Sequence, residues 1–181
     1  MKIFLVRHGE SEANVAERIN DDPERIVNLT VRGRAQAEAA SDSLRGIRFT
    51  HAYASEFPRA IQTAEILLRH NACLLRIDAR LNERRSGLDG LPVHVFNHLI
   101  RPDPLRIKPQ RGESFLEQMK RLGSFMDEVS FRHPEGTVLA VSHENPILAV
   151  QALLADDPGQ IALGSIANCE WLELVWPARK L

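Results

Sequence analysis

Cysteine is scarce. The chain of 181 residues holds two, Cys73 and Cys169. Two thiols make no disulfide framework, and the C-x-x-C spacing that holds zinc is missing. They fit buried thiols in a reducing compartment, so a cytoplasmic protein is expected. A surplus of charge is missing too: 23 Lys and Arg stand against 24 Asp and Glu. Bulk charge therefore points to neither nucleic acid nor a membrane as partner, and any anion site has to be local. No apolar run is long enough to span a bilayer, and the opening one is too short for a signal peptide. No repeat or low-complexity tract is present. What the chain does have is core material. Hydrophobic residues make up 44% of it, which argues against disorder and suits one domain over residues 1–181.

Apolar patterning then places the elements. Ile3–Val6 is a continuous apolar run, the mark of a strand buried on both faces. Residues 11–17 form a short helix or structured loop, and Asn20-Asp21-Asp22-Pro23 is turn chemistry. Thr30 is placed to cap a helix from Val31 to Leu44, ended by Gly46. Strands are expected at Thr50–Ala54 and Cys73–Ile77, with a helix between them that opens on Pro58 and runs to His70. Leu91–Leu99 is a weak helix, and Arg101–Gln110 an exposed loop with three prolines. Ser114 caps a long helix to Arg132 whose apolar face carries Phe115, Leu122, Phe125 and Val129. Thr137–Val141 is a strong strand, Pro146 opens a helix to Leu154, and Cys169–Val175 is a last strand at an edge. Alternating strands and helices predict a three-layer α/β/α sandwich with a mostly parallel central sheet.

Two stretches repeat one design. Ile3–Val6 leads into Arg7-His8-Gly9, and Val138–Val141 leads into Ser142-His143. Each puts a histidine just beyond the carboxyl end of a buried strand, where open α/β sheets bind ligands. If the strands are neighbours, the imidazoles share one cleft. Arg59 follows another strand, in the first turn of a helix. Glu83 offers a carboxylate from a loop. An arginine pair suits phosphate through bidentate donors, and a histidine can act as nucleophile or proton carrier near neutral pH. His94 and His98 stand at i,i+4, but without an acidic partner pattern they are read as ordinary, like His51, His70 and His133; no metal or cofactor is expected.

The strings themselves go further. Arg7-His8-Gly9-Glu10-Ser11 with Asn14 resembles the signature of the histidine phosphatase superfamily, also called phosphoglycerate-mutase-like. Leu29-Thr30-x-x-Gly33-x-x-Gln36-Ala37, Ser55-x-x-x-Arg59-Ala60-x-Gln62-Thr63-Ala64, Leu81-Asn82-Glu83-Arg84, Gly112-Glu113-Ser114 and Val141-Ser142-His143 are similar to further blocks of that family, in its order. The resemblance implies a phosphoglycerate-mutase-like fold and a phosphohistidine on His8. Arg7, Arg59, His143 and Asn14 would bind phosphate with the backbone N–H of Glu144, and Glu83 would act as acid and then base. Glu10 is expected to hold its loop.

Three departures stand out. Glu144 takes the place of a frequent glycine, and its carboxylate is expected to point away from a dianionic substrate. The family's frequent G-x-W-E-G is shortened to Gly87-Leu88-Asp89-Gly90. The block before Leu29-Thr30 lacks the common aspartate. The implied function is a metal-independent phosphatase of the small branch, with residues 84–113 covering the substrate. A phosphoglycerate-mutase-type transfer and a non-catalytic phosphate- or phosphoprotein-binding module are the alternatives. The substrate is a phosphorylated small molecule or phosphoprotein. Arg101, Arg106, Lys108 and Arg111 are either a solvated loop or an arm for an anionic substrate tail.

Overall fold

The structure is a computed structural model and describes residues 1–177. In chain order the elements are β1 (Lys2–Arg7), α1 (Glu12–Val15), α2 (Val31–Ser43), β2 (His51–Ala54), α3 (Pro58–Leu67), β3 (Leu75–Ile77), a 3₁₀ turn (Ala79–Leu81), α4 (Val93–Ile100), α5 (Phe115–Arg132), β4 (Thr137–Ser142), α6 (Glu144–Ala152), α7 (Pro158–Ile161) and β5 (Trp171–Val175). The five strands form one sheet in the order β3-β2-β4-β1-β5. All pairings are parallel except that of β5, which runs antiparallel against β1 as an edge strand.

Strand alternation sorts the core into two sides. Phe4, Val6, Leu139, Val141, Ala52 and Ala54 face α2 and α3 with Ala37, Ala40, Ala60 and Ala64. Ile3, Leu5, Val138, Ala140 and Tyr53 face the other way, onto Leu122, Phe125, Met126, Val129, Ile147 and Val150 of α5 and α6. β1 and β4 are covered on both faces, which is why their sequences are unbroken apolar runs. The result is the three-layer α/β/α sandwich expected.

The helix ends follow local chemistry. Thr30 accepts from the Gly33 N–H at 2.9 Å, and Ser114 with Glu117 forms a reciprocal capping box. Several boundaries move. α2 closes on Leu44, two residues before Gly46, and α3 stops at Leu67 rather than His70. β3 shortens to Leu75–Ile77 because it pairs only with Ala52–Ala54. α6 begins at Glu144, not at Pro146. Proline is tolerated there because first-turn N–H groups have no partner inside the helix. β5 begins two residues late, since Cys169 has left-handed backbone at φ 59° and turns the chain into the strand. The short helix α7, capped by Asp157, has no counterpart among the predicted elements.

Candidate active site

The register between β1 and β4 builds the site. Arg7 lies opposite Ser142, and the His8 N–H donates to the Ser142 carbonyl at 3.0 Å. His8 and His143 therefore leave the sheet side by side, with ring centroids 5.0 Å apart and ring planes at 66°. Gly9 passes against α2 so closely that a Cβ there would sit 2.4 Å from the Gly33 carbonyl oxygen. Glycine at both positions is what lets the loop after β1 lie down on that helix.

Tautomers follow from partners. His8 Nδ1 lies 2.7 Å from the Gly9 carbonyl oxygen. A carbonyl can only accept, so Nδ1 carries the proton and Nε2 keeps a lone pair. Arg59 Nε–H donates to that Nε2 at 3.1 Å. In His143, Nδ1 accepts from Arg59 Nη2 at 3.2 Å, so Nε2–H donates to Ser55 Oγ at 2.8 Å. Both imidazoles are buried, at 3% and 0% exposure. Burial, and then the charge of Arg59, hold both pKa values well below the usual 6.5. Arg59 is buried as well, lies over the Phe57 ring at 4.4 Å, and is brought down to about 10, chiefly by burial.

These lowered values tie the site to stability. Unfolded, each imidazole takes up a proton near pH 6.5; folded, it does so only well below that. The stability they contribute is complete above the unfolded value and is lost as pH falls toward the folded one. Glu83 acts with the opposite sign above its usual 4.5, so a variant comparison is needed. We expect the melting temperature to drop between about pH 7.5 and about pH 5.5, and to drop less in His8→Asn. Equal drops in the two proteins would refute the assignment.

A cavity of about 470 Å³ opens over these groups, lined by Arg7, His8, Asn14, Arg59, Glu83 and Glu144 among others. His143 is not on its surface; it stands behind Arg59. Asn14 serves its helix cap through Oδ1, which accepts from the Ser11 N–H at 3.0 Å. Its Nδ2 is thereby left for the cavity it lines. Glu83 Oε1 accepts from the Arg84 N–H at 2.7 Å. Burial raises the Glu83 carboxyl pKa and nearby Glu144 adds to the rise, against the pull of the Arg84 N–H, Arg59 and Arg7. Glu10 holds its loop as expected, accepting from Thr30 Oγ1 at 2.8 Å. Glu113 is 2% exposed and braces the acid loop, accepting from the Arg85 N–H and from Arg121.

The structure corrects one expectation. Glu144 does not point away: its Oε1 accepts from Arg7 Nη1 at 3.0 Å and from the Ile166 N–H at 3.2 Å. An arginine one strand away outcompetes solvent for that carboxylate. His94 is an exposed residue, as expected, and α4 places it in the cavity wall. Of the two readings of the basic loop, the solvated one fits: Arg101, Arg106, Lys108 and Arg111 are exposed, Arg106 pairs with Asp103 and Lys108 with Glu117, and none of the four lines the cavity.

Other residues also hold the site. Asn20 caps Arg59, accepting from Nη1 at Oδ1 and from Nη2 at its carbonyl. Asn168 Nδ2 donates to the His8 carbonyl at 2.9 Å. Thr63 Oγ1 accepts from the Gly9 N–H at 3.1 Å. Ser55 and Thr63 stand in the Arg59 block and could have been suspected from it; Asn20 and Asn168 could not.

Guanidiniums packed around neutral imidazoles at an open sheet end are what a phosphoryl group in transfer requires. This places the chain among phosphoryl-handling α/β enzymes. It belongs to the histidine phosphatase superfamily (branch 1), whose family profile matches residues 3–180. The chain is 32% identical over 155 residues to a probable phosphoglycerate mutase, GpmB, of Proteus mirabilis, a match covering 79% of this chain and 69% of that protein. Among solved structures it is similar to the α-ribazole phosphatase of Shigella flexneri, with TM-score 0.82 and 25% identity over 96% of this chain and 89% of that one. A mycobacterial glucosyl-3-phosphoglycerate phosphatase in complex with VO3 gives TM-score 0.79 and 25% identity over 98% and 99%. Among the described residues no helix is long and apolar enough to cross a membrane.

Proposed function

We propose that the protein is a phosphatase that hydrolyses phosphomonoesters, or phosphohistidine on a protein, through a phosphohistidine on His8. The observation that carries this is the His8 tautomer: Nδ1–H is spent on Gly9, so the lone pair of Nε2 is left beside Arg59. In the first step Nε2 attacks phosphorus, the ester P–O bond breaks, and Glu83 gives its proton to the departing oxygen. In the second, Glu83 takes a proton from water, the water oxygen attacks phosphorus, and the P–N bond breaks to release phosphate and restore His8. Arg7 and Arg59 supply the positive charge around the transferring group, so the step needs no metal. Asn14 Nδ2 and the Glu144 N–H add donors. His143 holds Arg59, and donates to phosphate only when protonated on the nitrogen that now accepts from Arg59.

Residues 84–113 form the substrate-covering part of one domain, since Arg84, Ser86, Val93, His94, Phe96 and Asn97 line the outer cavity. That composition favours hydrolysis over a mutase. A mutase has to retain a sugar-acid phosphate with a second anionic group, which calls for free cations in the outer cleft. Here Val93 and Phe96 supply apolar wall, and the two outer guanidiniums are each held by backbone carbonyls, Arg18 by Gly90 at 3.1 Å and Arg84 by Glu113 and Ile107, both at 3.3 Å. The mutase reading keeps one support, the resemblance of the acid loop and of the GpmB protein. A non-catalytic binding module would have no need of Glu83. The test is rapid quench with a ³²P-labelled aryl phosphate, with His8→Ala as control. We expect acid-labile, base-stable phosphate on the unmodified protein only, and hydrolysis far above mutase turnover of 3-phosphoglycerate. Absence of the phosphoprotein would favour the binding module, and dominant mutase turnover would favour the mutase.

A further inference from the structure

Glu144 puts a carboxylate at the position where the resembling block frequently has glycine. It is the first residue of α6, next to His143, and it lines the cavity. Its side chain folds back onto Arg7: Oε1 accepts from Arg7 Nη1 at 3.0 Å and from the Ile166 N–H at 3.2 Å. The same Nη1 also donates to the Ile166 carbonyl. Carboxylate, guanidinium and the backbone N–H and C=O of Ile166 thus close on each other. Arg7 Nε is buried without a partner among the described residues. Where the phosphoryl group would sit, the cavity thus offers the guanidiniums Arg7 and Arg59, with the Glu144 carboxylate already on Arg7. Part of the positive charge that Arg7 could offer a phosphate dianion is offset.

We propose that the Glu144 side chain is a specificity-determining residue: its fixed negative charge beside Arg7 weakens the cleft's hold on free phosphate and favours product release over retention of a phosphorylated intermediate. This rests on the phosphatase reading. A mutase gains from tight retention between half-reactions, whereas a phosphatase that grips its product inhibits itself. A carboxylate on one of two phosphate-holding arginines acts in the second direction. It is also a neighbour of Glu83, whose carboxyl faces Arg59, Arg7 and Glu144 and accepts from the Arg84 N–H.

The experiment is isothermal titration of inorganic phosphate into the unmodified protein, Glu144→Gln, Glu144→Ala and Glu144→Asp. Glutamine keeps an acceptor for Arg7 and the Ile166 N–H but no charge. Dissociation constants for phosphate are expected to fall about tenfold in the Gln and Ala variants, the effect of one partly screened like charge, and to stay within about twofold in Asp. The basic limb of kcat/KM, which reports protonated Glu83, moves to lower pH in Glu144→Gln. Unchanged or weaker phosphate binding in both uncharged variants overturns the proposal and leaves Glu144 as a brace for Arg7. Should the unmodified protein give no heat, gain of binding in the variants supports the proposal, and its absence in all of them overturns it. Calorimetry reads binding rather than turnover. A protein that binds phosphate yet forms no phosphohistidine would therefore sink the phosphatase reading without touching the Glu144 comparison.

Discussion

Arg59→Met lowers kcat/KM for any phosphomonoester by about a thousandfold or more, the scale on which single charged donors act in phosphoryl transfer. Arg59 is the hub of the site. Its Nε donates to His8 at 3.1 Å, its Nη2 to His143 at 3.2 Å, and Asn20 takes hydrogen bonds from both terminal nitrogens. Methionine fills much of the stem's space over Phe57 while removing every donor. Two losses follow. The transferring phosphoryl group loses half its guanidinium charge, and His8 loses the neighbour that, after burial, does most to keep it unprotonated. The acid limb of the pH–rate profile should therefore move to higher pH. Arg59→Lys restores the charge without the planar fork, and so recovers the pH limb better than the rate. Rates against pH for the three proteins, with melting curves as folding control, make the check. An Arg59→Met enzyme within tenfold of the parent would remove Arg59 from the mechanism.

How far the site could be read in advance depended on where its parts lie along the chain. β1 and β4 were legible because a strand covered on both faces must be apolar at every position, and Ile3–Val6 and Val138–Val141 are. The pairing of His8 with His143 followed from finding one design twice; the parallel register of Arg7 with Ser142 makes it geometry. Glu83 was legible from its loop string. Asn20 and Asn168 were not. They reach Arg59 and His8 across 39 and 160 residues of sequence, from loops with no periodicity, and an amide has no composition that announces a buried partner. The orientation of Glu144 was misjudged for a related reason. Considered against an incoming phosphate alone, its carboxylate should turn outward. In the folded chain Arg7 and the Ile166 N–H were already there to take it. The start of β3 was hidden in the same way: Leu75, opposite Ala52, is the first of its residues with a partner in β2, which β3's own residues do not encode.

Glu83→Gln separates the two half-reactions. Glutamine keeps the shape of the side chain and an oxygen for the Arg84 N–H that Glu83 accepts at 2.7 Å, but it carries no transferable proton. A p-nitrophenolate leaves without protonation, so formation of the phosphohistidine from p-nitrophenyl phosphate should stay within about tenfold of the parent rate. An alkyl phosphate has a far more basic leaving oxygen, and its first step should slow by about a hundredfold to ten-thousandfold. Water activation is lost for both substrates, so the aryl ester gives a stoichiometric burst of nitrophenol followed by slow turnover, with labelled phosphate persisting on His8. Burial, with help from Glu144, raises the Glu83 pKa, so the parent carries a usable proton at higher pH than a free carboxyl would. Its advantage over Glu83→Gln on alkyl phosphates should shrink as pH rises through that value. Stopped-flow bursts and quenched phosphoprotein, taken with both esters, read all of this. Equal losses on aryl and alkyl esters, with no burst, would mean that another group carries the proton. Among the carboxylates lining this cleft, Glu144 is the one to examine next, because its charge already stands beside the same transferring group.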